Sequence, residues 1–468
     1  MTELYHLSLS ETARLLATQE LSPVELTRAF LDRIDRLNDT LHAFLLVTPE
    51  RALAAAMQAE TEISQGNYRG ALHGIPVGVK DVFDTAGIPT TAQSRLLQDR
   101  IPTQDATVVR RLYQAGAILL GKLATKEFAG GGPSFDLYYP PARNPWNLDH
   151  VTGDSSTGSG AGVAAGLCMA ALGSDTSGSI REPSAFCGLV GFKPTYGRVS
   201  CAGMIPQSPS LDHAGPMTWT VRDNALLLQA IAGYDANDPA SAAVAVPDFT
   251  AQLEAGLEHR RIGIVRHFYD RDGRADPEVC AALDQAYMTL GELGAQLVEV
   301  ELPPLAEFIA CCQIIMLSEA FTLHEQDLRQ RPHLYGEGLR GLLLMGAFIS
   351  AADYLQAVRR RRELCFEVEQ ALKNVDVLVT ATEFRAAPPI VKTRQLDEAI
   401  SSDPLMPFSV TGLPALAVCC GFNQKGLPLS MQIIGKPFDE ATVLAVGNAY
   451  EQATPWREFR PELIVEQE

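Results

Sequence analysis

The sequence is short of histidine, has no paired-cysteine spacing and has no long apolar run, and each shortage removes a class of protein. Nine histidines are scattered over 468 residues. The run from His324 to Leu328 begins like H-E-x-x-H but lacks the second histidine, so spacing supports neither a zinc site nor a Ser-His-Asp arrangement. No G-x-S-x-G elbow occurs: Ser155 and Ser156 fail it, and Ser179 has Ser177 where the leading glycine should stand. A G-x-x-x-x-G-K-[ST] phosphate loop is also missing. Nine cysteines form an odd set, with Cys311-Cys312 and Cys419-Cys420 adjacent rather than in C-x-x-C, which indicates free thiols and a reducing compartment. The most apolar later stretch, residues 341–349, is shorter than the roughly 20 residues a bilayer span needs. The opening MTELYHLSLSETARLL has neither the basic nor the apolar region of a leader, so a cytoplasmic protein is expected.

Positive charge is scarce as well. Lys and Arg number 38 against 56 Asp and Glu, a formal net charge of −18, so the mean field repels phosphate backbones and anionic lipid. No nucleic-acid partner and no membrane are expected on that ground. The basic cluster at residues 359–362 is flanked by Glu363, Glu367 and Glu369 and reads as a solvated helix face. Apolar residues make up 46% and charged residues 20%, within the ordinary globular range, and mean hydropathy is +0.02. The chain is long enough to bury a large core.

Periodicity then predicts alternating elements. Residues 10–20 and 23–37 read as amphipathic helices, the second with Ser22 as N-cap and Pro23 in its first turn, and a third helix covers 49–63. Ile75, Val77 and Val79 alternate on a buried strand that ends at Lys80 and Asp81. A helix after Asp105 leads into the strand AILLGK. Further strands are expected at 171–175, 262–265, 296–300, 376–381, 415–420 and 429–434. Helix-then-strand alternation of this kind predicts an α/β sheet with helices on both faces. No repeat or low-complexity linker divides the chain. The region at about 303–372 is helical and reads as an inserted cap or flank that shapes a pocket.

Chemistry concentrates at residues 152–194, where Gly and Ser runs bracket small apolar residues. Glycine allows sharp turns and close approach, and serine brings a hydroxyl. Ser179 precedes a helix start, where unpaired amides face outward toward developing negative charge. Gly160-Ala161-Gly162-Val163-Ala164-Ala165 fits a loose dinucleotide fingerprint, but NPWNLDHVTGDSST before it is not the apolar strand that motif requires. A serine nucleophile without a histidine can be served by a lysine held neutral, and burial near Val77, Val79 and Val82 would favour the neutral form of Lys80.

The stretches TGDSSTGSGAGVAAG and LGSDTSGSIREPSAFCGLVGFKPTYGRVS closely resemble the amidase signature family of serine amidohydrolases. The resemblance continues in HGIPVGVKD, GKLATKEF, GPMTWTV and GLPLSMQIIGKPFDEAT and spans about residues 5–455. It implies a single large α/β domain over residues 1–468: a central mixed, mostly parallel sheet covered by helices on both faces, with a helical insertion. N-terminal helices would occupy 1–65, a catalytic core 66–240, the insertion about 303–372 and a C-terminal sheet completion 373–455. By the same resemblance Ser179 is the nucleophile, Ser155 a bridging serine after a non-proline cis peptide, and Lys80 the base. Thr176, Ser177, Gly178 and Ser179 would offer oxyanion-hole amides, Gly130 would line the substrate cleft, and Ser156, Asp175 and Arg181 would support the site. Asp154, Thr157 and Ser177 stand where the family commonly has glycine.

The expected activity is amide hydrolysis through an acyl-enzyme, without metal or cofactor, on a small-molecule amide, anilide or carbamate. Phe135, Tyr138, Tyr139, Ile314, Met316, Leu343 and Met345 are candidates for an apolar pocket, and a homodimer is possible from the paired N-terminal helices. Two rivals stand beside this reading: the glutaminase subunit of a glutamine-dependent tRNA amidotransferase, and a catalytically silent binding protein on the same scaffold. The segment PLMPFSVTGLPALAVCCGF at 404–422 resembles stand-alone amidases more than the first rival.

Overall fold

The computed structural model describes residues 3–133, 135–390 and 404–463. Among the described residues, eleven strands form one mixed sheet. In chain order they are β1 (Phe44–Val47), β2 (Pro76–Lys80), β3 (Ile118–Leu123), β4 (Ala170–Asp175), β5 (Val190–Lys193) and β6 (His213–Thr218). They continue with β7 (Arg261–Ile264), β8 (Gln296–Glu299), β9 (Val377–Ala381), β10 (Ala415–Phe422) and β11 (Pro428–Gly435). Across the sheet the order is β1-β3-β2-β4-β6-β5-β10-β11-β9-β7-β8.

The sheet is α/β and mixed as expected, but parallel pairing does not dominate its middle. Parallel ladders join β3–β2–β4 near one end and β9–β7–β8 at the other. Between them, from β4 to β9, every ladder is antiparallel, as is β1–β3. For β10 and β11 the cause is connectivity: they are joined by only residues 423–427, too few for the crossover a parallel pair requires.

Local chemistry explains the first helices. Ser8 accepts from Glu11 N at the start of α1 (Leu9–Ala17), and Ser22 accepts from Val24 N and Glu25 N at the start of α2 (Pro23–Leu41), whose first turn holds Pro23. Helices α3 (Pro49–Ser64) and α4 (Thr107–Gln114) precede α5 (Thr157–Ala164), which opens the Gly/Ser stretch and is buried throughout. A Cβ on Gly158 would stand 2.2 Å from Ala43 O and 2.3 Å from Ala124 N, so close packing against neighbouring backbone accounts for glycine there. After β4 comes the short α6 (Arg181–Phe186), then α7 (Val221–Ile231) and α8 (Pro277–Glu292).

Three helices follow β8 in succession: α9 (Leu305–Gln330), α10 (Glu337–Gly346) and α11 (Ala351–Leu372). Helix α9 is long and apolar enough by composition to cross a bilayer. Its apolar face is used elsewhere: Phe308, Cys312 and Ile315 are fully buried in a core cluster shared with Leu364 and Val368 of α11 and Phe408. All nine cysteines are unpaired thiols.

Candidate active site

Strand β2 ends by carrying Lys80 into the interior, where its side chain is wholly buried. Its parallel neighbour β4, in register at Val79 with Leu172, brings Ser174 alongside. The Lys80 Nζ lies 2.7 Å from Ser155 Oγ, 2.8 Å from Ser174 Oγ and 3.0 Å from Ser156 Oγ. Burial drives its pKa down to about 7, against the opposing pull of Asp175, Asp212 and Asp154. An amine in that range is partly neutral at physiological pH, and its hydroxyl neighbours can both donate and accept, so a proton can pass among them.

Ser155 is set by its loop. The peptide bond between Asp154 and Ser155 is cis. Ser155 O accepts from Lys126 N at 3.0 Å, and the Lys126 ammonium pairs with the Asp154 carboxylate at 3.0 Å. Asp154, one of the residues at a position commonly glycine, therefore holds an ion pair at the cavity edge. Ser156 serves the base rather than the cavity: besides Lys80, its hydroxyl donates to Ser174 O at 3.2 Å and accepts from Ser174 N at 3.3 Å.

Residues 176–180 link β4 to α6, and both ends of that loop are pinned. Asp175 takes two hydrogen bonds from Arg181, each 3.0 Å, and one from Ile180 N at 3.2 Å. Burial works to raise the Asp175 carboxyl, but the Arg181 guanidinium holds it at about 2. Arg181 also donates to Leu405 O, Gln432 Oε1 and Ser409 Oγ, so it joins two distant segments, 405–409 and β11, and does not line the cavity. Ser156 N donates to Ser179 O at 3.2 Å, which ties the two serine loops together.

Within the loop, the positive-φ position falls at Gly178, with φ +148°, and a Cβ there would stand 2.5 Å from Leu405 Cδ1. Ser177 is not among the positive-φ residues, so serine sits there without a backbone penalty. Ser177, Gly178 and Ser179 border a cavity of about 540 Å³. Thr176 does not border it: its hydroxyl donates to Asp212 Oδ1 at 2.6 Å.

The helical side of the cavity mixes apolar and polar side chains, with Met316 and Leu317 beside Gln313 from α9, Leu342 and Met345 beside Glu337 from α10, and Met406. Gly130 borders it in extended backbone, where a Cβ would come 3.2 Å from Leu339 Cδ1 and 3.3 Å from Gln207 Nε2. Of the apolar candidates, Met316 and Met345 border the cavity. Phe135 and Tyr138 are exposed, and Leu343 is packed in the core. Sequence reasoning missed Ser174, Gln207 and Asp212. Burial pushes the Asp212 carboxyl up to about 6, although hydrogen bonds from Thr176 and from the amides of Ser208 and Gln207 oppose the rise.

Known proteins share this architecture. The family model for Amidase matches residues 25–444. A Glutamyl-tRNA(Gln) amidotransferase subunit from Chloroflexus aurantiacus is 42% identical, over 99% of this chain and 100% of that protein. The structure of the corresponding Glutamyl-tRNA(Gln) amidotransferase subunit from Thermotoga maritima superposes with a TM-score of 0.84 at 32% identity, covering 97% of this chain and 96% of that one. Native peptide amidase from Stenotrophomonas maltophilia gives 0.83 at 32%, covering 97% and 98%.

These relatives overturn one expectation. A lone small-molecule substrate, no nucleic acid and at most a second copy of the chain do not fit full-length likeness to a protein that is by name one component of a tRNA amidotransferase. The inference failed because net charge is an average over the whole surface, and it says nothing about a nucleic acid reached through a partner protein.

Proposed function

The chain belongs to the amidase signature family, an enzyme family that cleaves C–N bonds, and from that premise we propose that it hydrolyses amides through an acyl-enzyme on Ser179. The observation that carries the reading is the Lys80 amine, fully buried, lowered to about 7 and 2.7 Å from the Ser155 hydroxyl. Neutral Lys80 accepts the Ser155 proton as Ser155 takes that of Ser179. The Ser179 oxygen then attacks the carbonyl carbon. The oxygen of the tetrahedral intermediate is met by main-chain amides of Ser177, Gly178 and Ser179, which border the cavity and whose donors are each worth ~3–4 kcal/mol in comparable sites. Ser155 returns a proton to the departing nitrogen, the C–N bond breaks, and the amine leaves. Water enters by the reverse relay, releases the acid and restores Ser179.

For the substrate, full-length likeness to the amidotransferase component supports glutamine, with the released ammonia passed to a partner protein that acts on aminoacyl-tRNA. A cytoplasmic location goes with this reading and is supported by nine unpaired thiols. The test is glutamine hydrolysis by the purified chain, alone and with the remaining amidotransferase subunits and charged tRNA. Hydrolysis is expected to rise with the assembled partners. Rapid turnover of simple amides by the chain alone, unchanged by partners, would favour a second reading, a stand-alone amidase for apolar amides. The apolar side chains among the lining residues, Met316, Leu317, Leu342, Met345 and Met406, support that second reading.

A further inference from the structure

The loop at 207–212 lies between the helical wall of the cavity and the catalytic loop, and its side chains reach both ways. Toward the catalytic side, the buried Asp212 carboxylate accepts from Thr176 Oγ1 at 2.6 Å. It also accepts from Gln207 N at 2.9 Å and from Ser208 N at 3.1 Å, so one carboxylate folds its own loop and holds the first residue of the other. Toward the helical side, Glu319 of α9 accepts from Ser208 Oγ at 2.6 Å, Ser210 N at 3.1 Å and Ser210 Oγ at 2.7 Å. Tyr354 of α11 donates to the same Glu319 at 2.9 Å. Glu319 lies one helical turn from Met316, which borders the cavity.

From this chain of contacts we infer that Asp212 is a positioning residue. It sets the oxyanion loop through the Thr176 hydroxyl and transmits to it the placement of α9, which Glu319 fixes on the other side of the same loop. The physical case is that a hydroxyl-to-carboxylate hydrogen bond is short and charge-assisted, and inside a buried site it is far stiffer than a water-exposed contact. The far end of the loop is already fixed by Asp175 at Ile180 N and by Ser156 at Ser179 O. Thr176 is thus the near anchor, and an amide donor misplaced by a fraction of an ångström loses much of its transition-state bond while ground-state binding is little changed. The inference rests on the reading of Ser179 as nucleophile.

The experiment compares Asp212→Asn, Thr176→Val, the double variant and Thr176→Ser with the wild-type chain, on whichever amide the wild type turns over. Ser179→Ala serves as the control for the underlying reading. Either single variant is expected to lower kcat by roughly 10- to 100-fold with KM changed by less than about threefold, the signature of an interaction made in the transition state. The double variant should be no worse than the poorer single one, because the Thr176 hydroxyl to Asp212 contact is the one the two changes share, and Thr176→Ser, which keeps the hydroxyl, should recover most of the rate. Glu319→Gln should give the same pattern more weakly. Additive losses, a matching rise in KM, or failure of Thr176→Ser to recover would each overturn the inference. If Asp212→Asn does not fold, the Thr176 pair decides alone. Full activity in Ser179→Ala would instead remove the nucleophile reading, and the oxyanion-loop inference would fall with it.

Discussion

Two lysines, Lys80 and Lys193, are both wholly enclosed in the protein, yet their surroundings suit them to different work. Lys80 ends β2 among three serine hydroxyls. Lys193 ends β5 with Leu413 O at 2.6 Å, Pro194 O at 3.4 Å and His213 Nε2 at 3.3 Å. The His213 Nδ1 faces two carbonyl oxygens, Leu211 O at 2.6 Å and Asp175 O at 3.1 Å, so its hydrogen belongs on Nδ1 and its Nε2 is an acceptor. Each of these three neighbours of Lys193 is therefore an acceptor. Burial lowers the Lys193 pKa well below its ordinary value too, so the two lysines differ in their partners rather than in that direction: the Lys193 amine only donates, and it ties β5 to the segment before β10. Lys80 has neighbours that both give and take a proton. Burial alone does not make a lysine a base; the partner atoms decide.

The largest expected effect breaks this comparison most openly. Lys80→Met should reduce acylation by about 10³-fold or more, since the proton of the nucleophile loses its acceptor. Lys193→Met should leave acylation within about tenfold while lowering Tm, because it strands buried carbonyls rather than the relay. Equal collapse of both activities with both folds intact would show that the partner sets do not matter. A finer cut separates the hydroxyls around Lys80. Ser155→Ala should cost roughly 10²- to 10³-fold in kcat, and Ser174→Ala, which removes only a cradle contact, about tenfold or less. A single-turnover assay of both variants distinguishes loss of proton transfer from loss of binding.

The legible part of this site is the part carried by local patterns. The alternation at Ile75, Val77 and Val79 places Lys80 at the end of a buried strand, and Ser22-Pro23 marks the start of α2 where it is found. Strands β5 and β6 leave no such mark. The β6 sequence HAGPMT contains Gly-Pro, which reads as a turn, yet it pairs along its whole length with β4. The assignments of Ser155 and Ser179 come from resemblance, because serines in a Gly-rich stretch look like turn residues when taken alone. Ser174 hides for the same reason. Asp212 and the Arg181 network are illegible for a different cause: the partners lie 36 residues apart for Thr176 and Asp212, and 251 for Arg181 and Gln432. Contacts at that separation leave no periodic trace. The balance of parallel and antiparallel ladders escapes too, since most of them pair strands that are not consecutive in the chain.

The central claim is that an amine with its pKa lowered to about 7 receives the proton of the nucleophile. The most direct measurement is the rate constant for acylation of Ser179 by an amide substrate, followed from roughly pH 5.5 to 9 in the wild-type chain and in Lys80→Met. Below its pKa Lys80 is protonated and cannot accept, so the wild-type rate should climb about tenfold per pH unit and level off above about 7, while the residual rate of Lys80→Met should lack that rise. A flat wild-type profile, or the same rise in the variant, would contradict the account.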